Sequence, residues 1–373
     1  MTYDVIVSGL GPAGATFLKE LSGSGLKVLA LEKEEFPRAK PCAGGLTVKA
    51  YNLLKELFPG LDSVVRLSTK TLELHYGKAE RVITSPYPLT YLTDREELDN
   101  YLFNCLPFKE FEVHTGEGVT SVAPEERGLK VKTKKGAYRC RVLVVAEGAN
   151  SKTAAQFKVK RDMGYTYEAD VEAEFEDKIV IDFSHFKWGY YWIFPKGSHV
   201  TTGVGEFKSR ELFKRLRELL KGFNAKHGVE GKVKWERGFP IPAGRGKNDV
   251  YRERLIFLGD SGGLVDPLTG EGIYYGARSG QIGAESVKEA FLKGDLKELL
   301  RYKEKIDGEL GREFFWARVV GRLFFPLRRL NFKALERSEE IALLAARLLS
   351  GEISYREGFF TYGRLLPGAL LGF

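Results

Sequence analysis

Three glycines at positions 9, 11 and 14 carry the first chemistry legible in this chain. The run Gly9-Leu10-Gly11-Pro12-Ala13-Gly14 follows an apolar stretch, Val5-Ile6-Val7, and precedes a helical pattern from Ala15 to Leu21. A second apolar run, Val28-Leu29-Ala30-Leu31, then closes on Glu32. Strand, G-x-G-x-x-G, helix, strand and terminal acid together form the arrangement that binds a dinucleotide. Gly9 permits the tight turn, Gly11 lets the backbone approach a pyrophosphate, and Gly14 lets the helix pack close to the strand. The helix that Pro12 opens offers unpaired N–H groups, from Ala13 onward, and a positive dipole end to phosphate. Glu32 is placed to accept hydrogen bonds from a ribose.

Two more apolar runs end in residues of the same kind. Val142-Leu143-Val144-Val145-Ala146 leads to Glu147-Gly148, and Leu255-Ile256-Phe257-Leu258 leads to Gly259-Asp260. Continuous apolar runs of this length suit parallel strands buried on both faces. The carboxyl ends of such strands gather at one edge of the sheet, where ligands bind. Further on, Tyr190, Trp192 and Phe194 alternate in a strand-like stretch that ends at Pro195, so all three share one face.

These residues resemble the FAD-dependent hydroxylase and reductase superfamily over residues 1–60, 90–155 and 250–290. The resemblance implies that Asp260, in Leu258-Gly259-Asp260-Ser261-Gly262-Gly263, contacts the ribityl chain of FAD. It implies that Gly270, Gly272 and Ile273, after Asp266-Pro267-Leu268-Thr269, bring backbone N–H groups to the flavin ring. A helix starting near Gly272 would aim its positive end at the N1/O2 edge of a reduced flavin. Arg95 matches the arginine on the phosphate or ribose side, and Lys33 and Val119 join the expected cofactor set. Glu147-Gly148 stands where the superfamily usually has Asp-Gly, a motif that touches the FAD pyrophosphate and, in hydroxylases, NADPH. Ser8 replaces the commoner glycine or alanine before Gly9.

Two stretches are similar to the geranylgeranyl reductases within that superfamily. One is Lys40-Pro41-Cys42-Ala43-Gly44-Gly45-Leu46. The other is Tyr190-Tyr191-Trp192-Ile193-Phe194-Pro195, with Lys187 where the family pattern has proline. The resemblance implies that Cys42, Ala43, Gly44 and Gly45 lie against the flavin and shape the reaction site, while Tyr190, Trp192, Phe194 and Pro195 wall the substrate. Cys42 is the one acid this loop brings to the ring, and a thiol with a pKa near ~8.5 is protonated at neutral pH. The implied reaction is flavin-dependent reduction of isolated C=C bonds in polyprenyl chains of membrane-lipid precursors or phospholipids. Its rivals are the prenyl tails of quinone or chlorophyll-type molecules, oxygenation of a small aromatic, and a flavin electron carrier. The electron donor, a ferredoxin-like protein or NAD(P)H, stays open.

The 373 residues can hold more than one domain, and a net charge of +8 admits acidic small molecules or an anionic membrane surface. No basic stretch with interleaved aromatics marks a nucleic-acid module, so no nucleic-acid partner is expected. Cys42, Cys105 and Cys140 are odd in number and widely spaced, which fits neither a disulfide framework nor a zinc site. His75, His114, His185, His199 and His227 show no metal or triad spacing, so no metal is expected. The chain opens on a core strand, without the pattern of a signal peptide, and no apolar run reaches the ~18 residues of a spanning helix. A cytoplasmic protein, peripheral on the membrane face, is the expectation.

The expected fold is α/β: a Rossmann-like FAD-binding domain (residues 1–60, 93–155 and 250–290), an inserted antiparallel-sheet substrate domain (61–92 and 156–249), and a C-terminal helical region (291–373). Within it, residues 47–57 read as a helix. Thr93 or Asp94 caps a helix that Glu96 or Glu97 supports. Residues 111–140 alternate as a four-strand meander, and a basic amphipathic helix covers residues 209–223. Residues 314–373 mix arginine with bulky apolar side chains, as an interfacial segment or the cover of a lipid tunnel would.

Overall fold

Thr2–Ser8, the apolar run before the first glycine, forms the middle strand of a parallel sheet. It pairs with Val28–Leu31 on one side and Ala137–Val145 on the other. Glu112–His114 extends the sheet beyond Val28–Leu31, and Leu255–Phe257 extends it beyond Ala137–Val145, both in parallel. Val5, Ile6, Val7 and Val142 to Val145 are all fully buried. The sheet needs a cover on both faces and has one: separate apolar clusters sit on either side of it. The computed structural model describes residues 2–207 and 212–371.

The helices Pro12–Leu21 and Ile273–Leu292 lie on one face. Both start at the carboxyl edge of the strands, so both point their N-termini to the same place. The helix expected at 47–57 runs Val48–Leu57, with Thr47 Oγ1 accepting from Ala50 N as its cap.

A seven-stranded sheet stands beside this unit. Its order is Lys232–Ala243, Asp162–Glu172, Val200–Glu206, Gly189–Pro195, Lys178–Asp182, Thr71–Tyr76 and Ala79–Thr84. It is antiparallel except where Lys178–Asp182 meets Thr71–Tyr76. Helix Leu212–Lys226 covers one face through Leu216, Leu220 and Phe223. The residues 209–211 of the expected basic helix lie outside the described residues. Val65–Thr69 and Thr90–Thr93 join Gly45–Thr47 in a small third sheet instead. Helices Leu310–Phe324, Arg328–Arg337, Glu339–Leu349 and Tyr355–Leu371 close over the other face of the seven-stranded sheet, sharing a core with Leu72, Leu74, Ile179 and Ile181.

Three local expectations are corrected. Residues 138–140 and 142–146 form one continuous strand, Ala137–Val145, because its first half pairs with Gly128–Lys132 while its second half enters the parallel sheet. Glu112–His114 leaves the meander for the parallel sheet, since the hydrophobic alternation is the same for either partner. Helix Arg95–Asn104 starts after Asp94, but the Asp94 side chain makes no cap bond. Its carboxylate is drawn off by Lys196 Nζ and His199 Nε2, each at 3.0 Å. Burial opposes the Asp94 charge, and these two partners hold the carboxyl well below its usual range.

Candidate active site

The carboxyl edge of the parallel sheet opens into a cavity of about 810 Å³ that continues under the seven-stranded sheet. Its cradle end is lined by Gly11, Pro12, Ala13, Gly148, Asp260 and Arg95, all sequence-identified. Gly9 has φ +99°, and a Cβ there would fall 2.3 Å from Ala146 O. A Cβ on Gly14 would fall 2.0 Å from Gly9 O. The turn therefore accepts no side chain at either position, Gly9 because the turn is tight and Gly14 because the helix packs on the strand. A Cβ on Gly11 would meet only Arg38 Nη2, at 3.4 Å, which leaves that face open to a pyrophosphate. The second helix, Ile273–Leu292, is 20 residues long and starts at Gly272 without a side-chain cap. Its first N–H groups stay free to face an anionic ligand.

Arg95 is buried and donates through Nε and Nη2 to Asp99. Burial works against its charge, but Asp99 and the adjacent Cys42 keep the guanidinium above its ordinary value. Cys42 Sγ accepts from Gly44 N at 3.5 Å. The loop Pro41, Cys42, Ala43, Gly44 and Gly45 lines the cavity. Gly45 packs under the Phe194 ring, with only 2.5 Å between a Cβ placed there and Phe194 Cε2. The aromatic row faces the cavity as its alternation requires: Tyr190, Trp192 and Phe194 all line it, while Pro195 is buried outside it. Two side chains of this strand region reach the segment before the second helix. Trp188 Nε1 donates to Pro267 O at 2.8 Å, and Tyr190 OH donates to Thr269 O. Asp260, Gly270, Gly272 and Ile273 line the same space.

Besides Gly9, Gly14 and Pro195, four sequence-identified residues do not line the cavity. Lys33 is exposed and pairs with Glu34 at 3.8 Å, and Val119 is buried in the core behind the parallel sheet. Glu32 is buried, and its Oε2 already accepts from Leu10 N at 2.8 Å, bracing the glycine turn. Glu147 does not line the cavity. It accepts from Ser8 Oγ, Ser151 Oγ and Thr153 Oγ1 at 2.6–2.8 Å, and from Thr153 N at 3.1 Å. Two departures from the superfamily pattern, Ser8 and Glu147, are thus partners. The added methylene of glutamate reaches back to the serine and ties the first strand to the short helix Lys152–Gln156.

Other residues of the site were not singled out by sequence reasoning. Arg38 joins Asp99 at 3.1 Å and lies beside Gly11. Lys40 stands near Gly148, and burial, then the Arg95 charge, lowers its pKa. Both belong to the Arg38-Ala39-Lys40 stretch before Cys42, and their charge was the available signal. Glu271 lines the cavity and pairs with Lys49 at 3.1 Å. Burial raises the Glu271 pKa despite that partner. The histidine spacing also hid two convergences, Glu73–His75–His227 and Asp94–Asp170–His199. Lys178 and Lys196 already neutralise Glu73 and Asp94, so both are ion-pair networks.

Beyond the aromatic row the cavity becomes an apolar arm, walled by Leu72, Ile181, Phe324, Leu335, Leu344 and Leu366. It reaches the surface where Leu323, Leu327 and Phe360 are both cavity-lining and exposed, at 46%, 46% and 51%. Arg322, Arg329 and Arg364 are exposed on the same helices. Among the described residues no helix is long and apolar enough to cross a membrane.

A family described as pyridine nucleotide-disulphide oxidoreductase matches residues 64–181. An uncharacterised protein of Methanosarcina barkeri is 30% identical over 340 residues, covering 88% of this chain and 86% of its own. Digeranylgeranylglycerophospholipid reductase 2 of Methanopyrus kandleri is 26% identical, with 94% of each chain covered. Among solved structures, a geranylgeranyl bacteriochlorophyll reductase-like protein from Thermoplasma acidophilum superposes with a TM-score of 0.82 at 22% identity, covering 98% of this chain and 99% of its own.

Proposed function

We propose that this chain, which belongs to the geranylgeranyl reductase family of FAD-dependent oxidoreductases, saturates the polyprenyl chains of membrane lipids or their precursors. The observation that carries this reading is the cavity itself. One end is a nucleotide cradle, the other an apolar arm that opens among exposed leucine and phenylalanine. A polyprenyl chain offers no hydrogen bonds, so it can be held only by shape and apolar contact. FAD, once reduced, supplies the hydride equivalent for a C=C bond. The protein's part is to bind, orient and dry the site. The turn at Gly9–Gly14 and the two helix N-termini take the phosphate and ring edges. The Cys42–Gly45 loop and the Tyr190–Trp192–Phe194 row press the chain between them, and the arm excludes water from its tail.

The test uses purified protein loaded with FAD, reduced without oxygen and mixed with a geranylgeranyl phospholipid. Mass spectrometry is expected to show two hydrogens gained per double bond. Oxygen-dependent hydroxylation of an aromatic, or flavin reoxidation with the lipid unchanged, overturns the reading.

The mouth of the arm also supports docking on a bilayer, where such lipids reside. Phe315, on helix Leu310–Phe324 that also carries Leu323, is 53% exposed and does not line the cavity. Phe315→Glu is expected to weaken association with anionic lipid vesicles about ten-fold, from the lost burial of one phenyl ring. Turnover of detergent-dispersed lipid should be unaffected. Equal vesicle association of both proteins in a flotation assay counts against membrane docking.

A further inference from the structure

A buried carboxyl group in the cavity belongs to neither the nucleotide cradle nor the apolar arm. Glu168 lies on Asp162–Glu172, is 5% exposed and faces the cavity. Its Oε1 accepts from Thr166 Oγ1 at 3.0 Å, and its Oε2 has no hydrogen-bond partner. Across the sheet, Glu168 pairs in register with Gly203, and Gly203 with Trp192. A Cβ on Gly203 would fall 2.2 Å from Trp192 Cζ2. The indole therefore lies across the missing side chain, on the Glu168 side of its own strand. Trp192 Nε1 is buried and also lacks a partner. Two buried polar atoms thus stand without partners on the wall that the aromatic row presents to the substrate. Such atoms are costly to keep unless they are used.

Burial lets this carboxyl hold its proton well above the usual carboxylate range. Burial raises it most; Thr166, Lys196, Arg95 and Lys40 pull the other way, and the result is a pKa of about 7. Lys196 is committed to Asp94 and Arg95 to Asp99, so neither forms an ion pair with Glu168. Tyr190, two strands away across Val200–Glu206, is another titratable group on this wall and is held protonated by burial; Cys42, Tyr165 and Glu206 line the same cavity.

We propose that Glu168 is the acid of the reduction, the group that gives a proton to the alkene carbon opposite the one that receives hydride. This rests on the reading that the chain saturates prenyl double bonds. Reduced FAD, held by the glycine turn and the two helix N-termini, would supply the hydride, two electrons with one hydrogen, for the first carbon. The Glu168 O–H bond breaks as a C–H bond forms at the second, and the carboxylate left behind takes its next proton from solvent. Cys42, on the opposite loop beside Arg95, then shapes the site without donating the proton.

The experiment compares wild type, Glu168→Gln and Glu168→Asp as FAD-loaded proteins. Glu168→Gln is expected to lower prenyl saturation at least ~100-fold. Its chemical reduction by dithionite and reoxidation by oxygen should match wild type. Wild-type saturation should fall as pH rises through about 7, because the acid must be protonated, and Glu168→Asp should keep such a limb at a reduced rate. Independently of turnover, infrared titration of wild type should show a protonated-carboxyl band lost near neutral pH and missing from Glu168→Gln. The same linkage has a sign in stability. The folded state holds the proton longer than the unfolded chain does, so wild type should lose stability relative to Glu168→Gln as pH rises from about 4.5 to about 7. If wild type saturates prenyl chains and Glu168→Gln does so as fast with the same pH profile, the proposal is overturned. If the carboxyl band is missing from wild type, it is overturned as well. A wild type that saturates no prenyl chain overturns the underlying reading and the acid role with it, while the infrared band still shows whether Glu168 is held neutral.

Discussion

Gly14→Val is expected to give a protein that binds FAD at least ~100-fold more weakly than wild type and is purified colourless. A Cβ at this position meets Gly9 O at 2.0 Å and Ala146 Cβ at 3.4 Å. Relief would require the turn to move, and the turn is pinned. Gly9 N donates to Leu31 O and Ala146 N to Ser8 O, each at 2.7 Å, and Leu10 N donates to Glu32. Overpacking against fixed backbone costs about 1–3 kcal/mol or more. The part of that strain relieved by shifting the turn also withdraws the helix N-terminus from the pyrophosphate. Gly136→Ala is the control, since nothing lies within 4 Å of its added Cβ. Visible absorbance and FAD titration of the two purified variants decide the matter, and a yellow Gly14→Val with full FAD content would show that the turn is not the cofactor's seat.

The second large effect is expected at Ala345, in the wall of the apolar arm on helix Glu339–Leu349. Ala345→Trp puts an indole where a chain would run. Each methylene denied burial costs about 0.8 kcal/mol, so obstructing one five-carbon unit costs ~4 kcal/mol, or roughly a 10³-fold loss of kcat/KM. FAD content should match wild type, because the cradle lies at the other end of the cavity. A short prenyl substrate that stops before the obstruction should keep its turnover. Equal losses for short and long chains, measured side by side, would mean that the arm does not hold the chain.

Much of the cradle was legible because it is written locally. Apolar runs ending in Gly9, Gly148 and Gly259-Asp260 announce strand tips by themselves, and one sheet edge collects them. The Tyr190–Trp192–Phe194 row was legible from period-two spacing. What stayed hidden depends on pairings made across the chain. Glu168 alternates like any polar strand residue, and nothing local says that its face turns to a cavity. That is set by its register with Gly203. Glu147 and Ser8 read as two separate departures until the fold brings them to 2.8 Å. Asp94 reads as a helix cap, yet His199 and Lys196, a hundred residues away, outbid the helix for its carboxylate. The alternation of residues 112–114 could not reveal its partner either, because a meander and a parallel edge demand the same pattern.

The bonds from Trp188 and Tyr190 to the carbonyls of Pro267 and Thr269 have a consequence for regiochemistry. They clamp the strand that carries the aromatic row to the segment that leads into the second helix, so on the proposed function the gap between that row and a bound flavin would be a fixed gauge. A prenyl thread carries its double bonds at regular intervals. With the gauge fixed, the bond that reacts is chosen by how far the thread has slid, and successive bonds can be presented by sliding alone. On that reading the depth of the arm would act as a ruler along the chain.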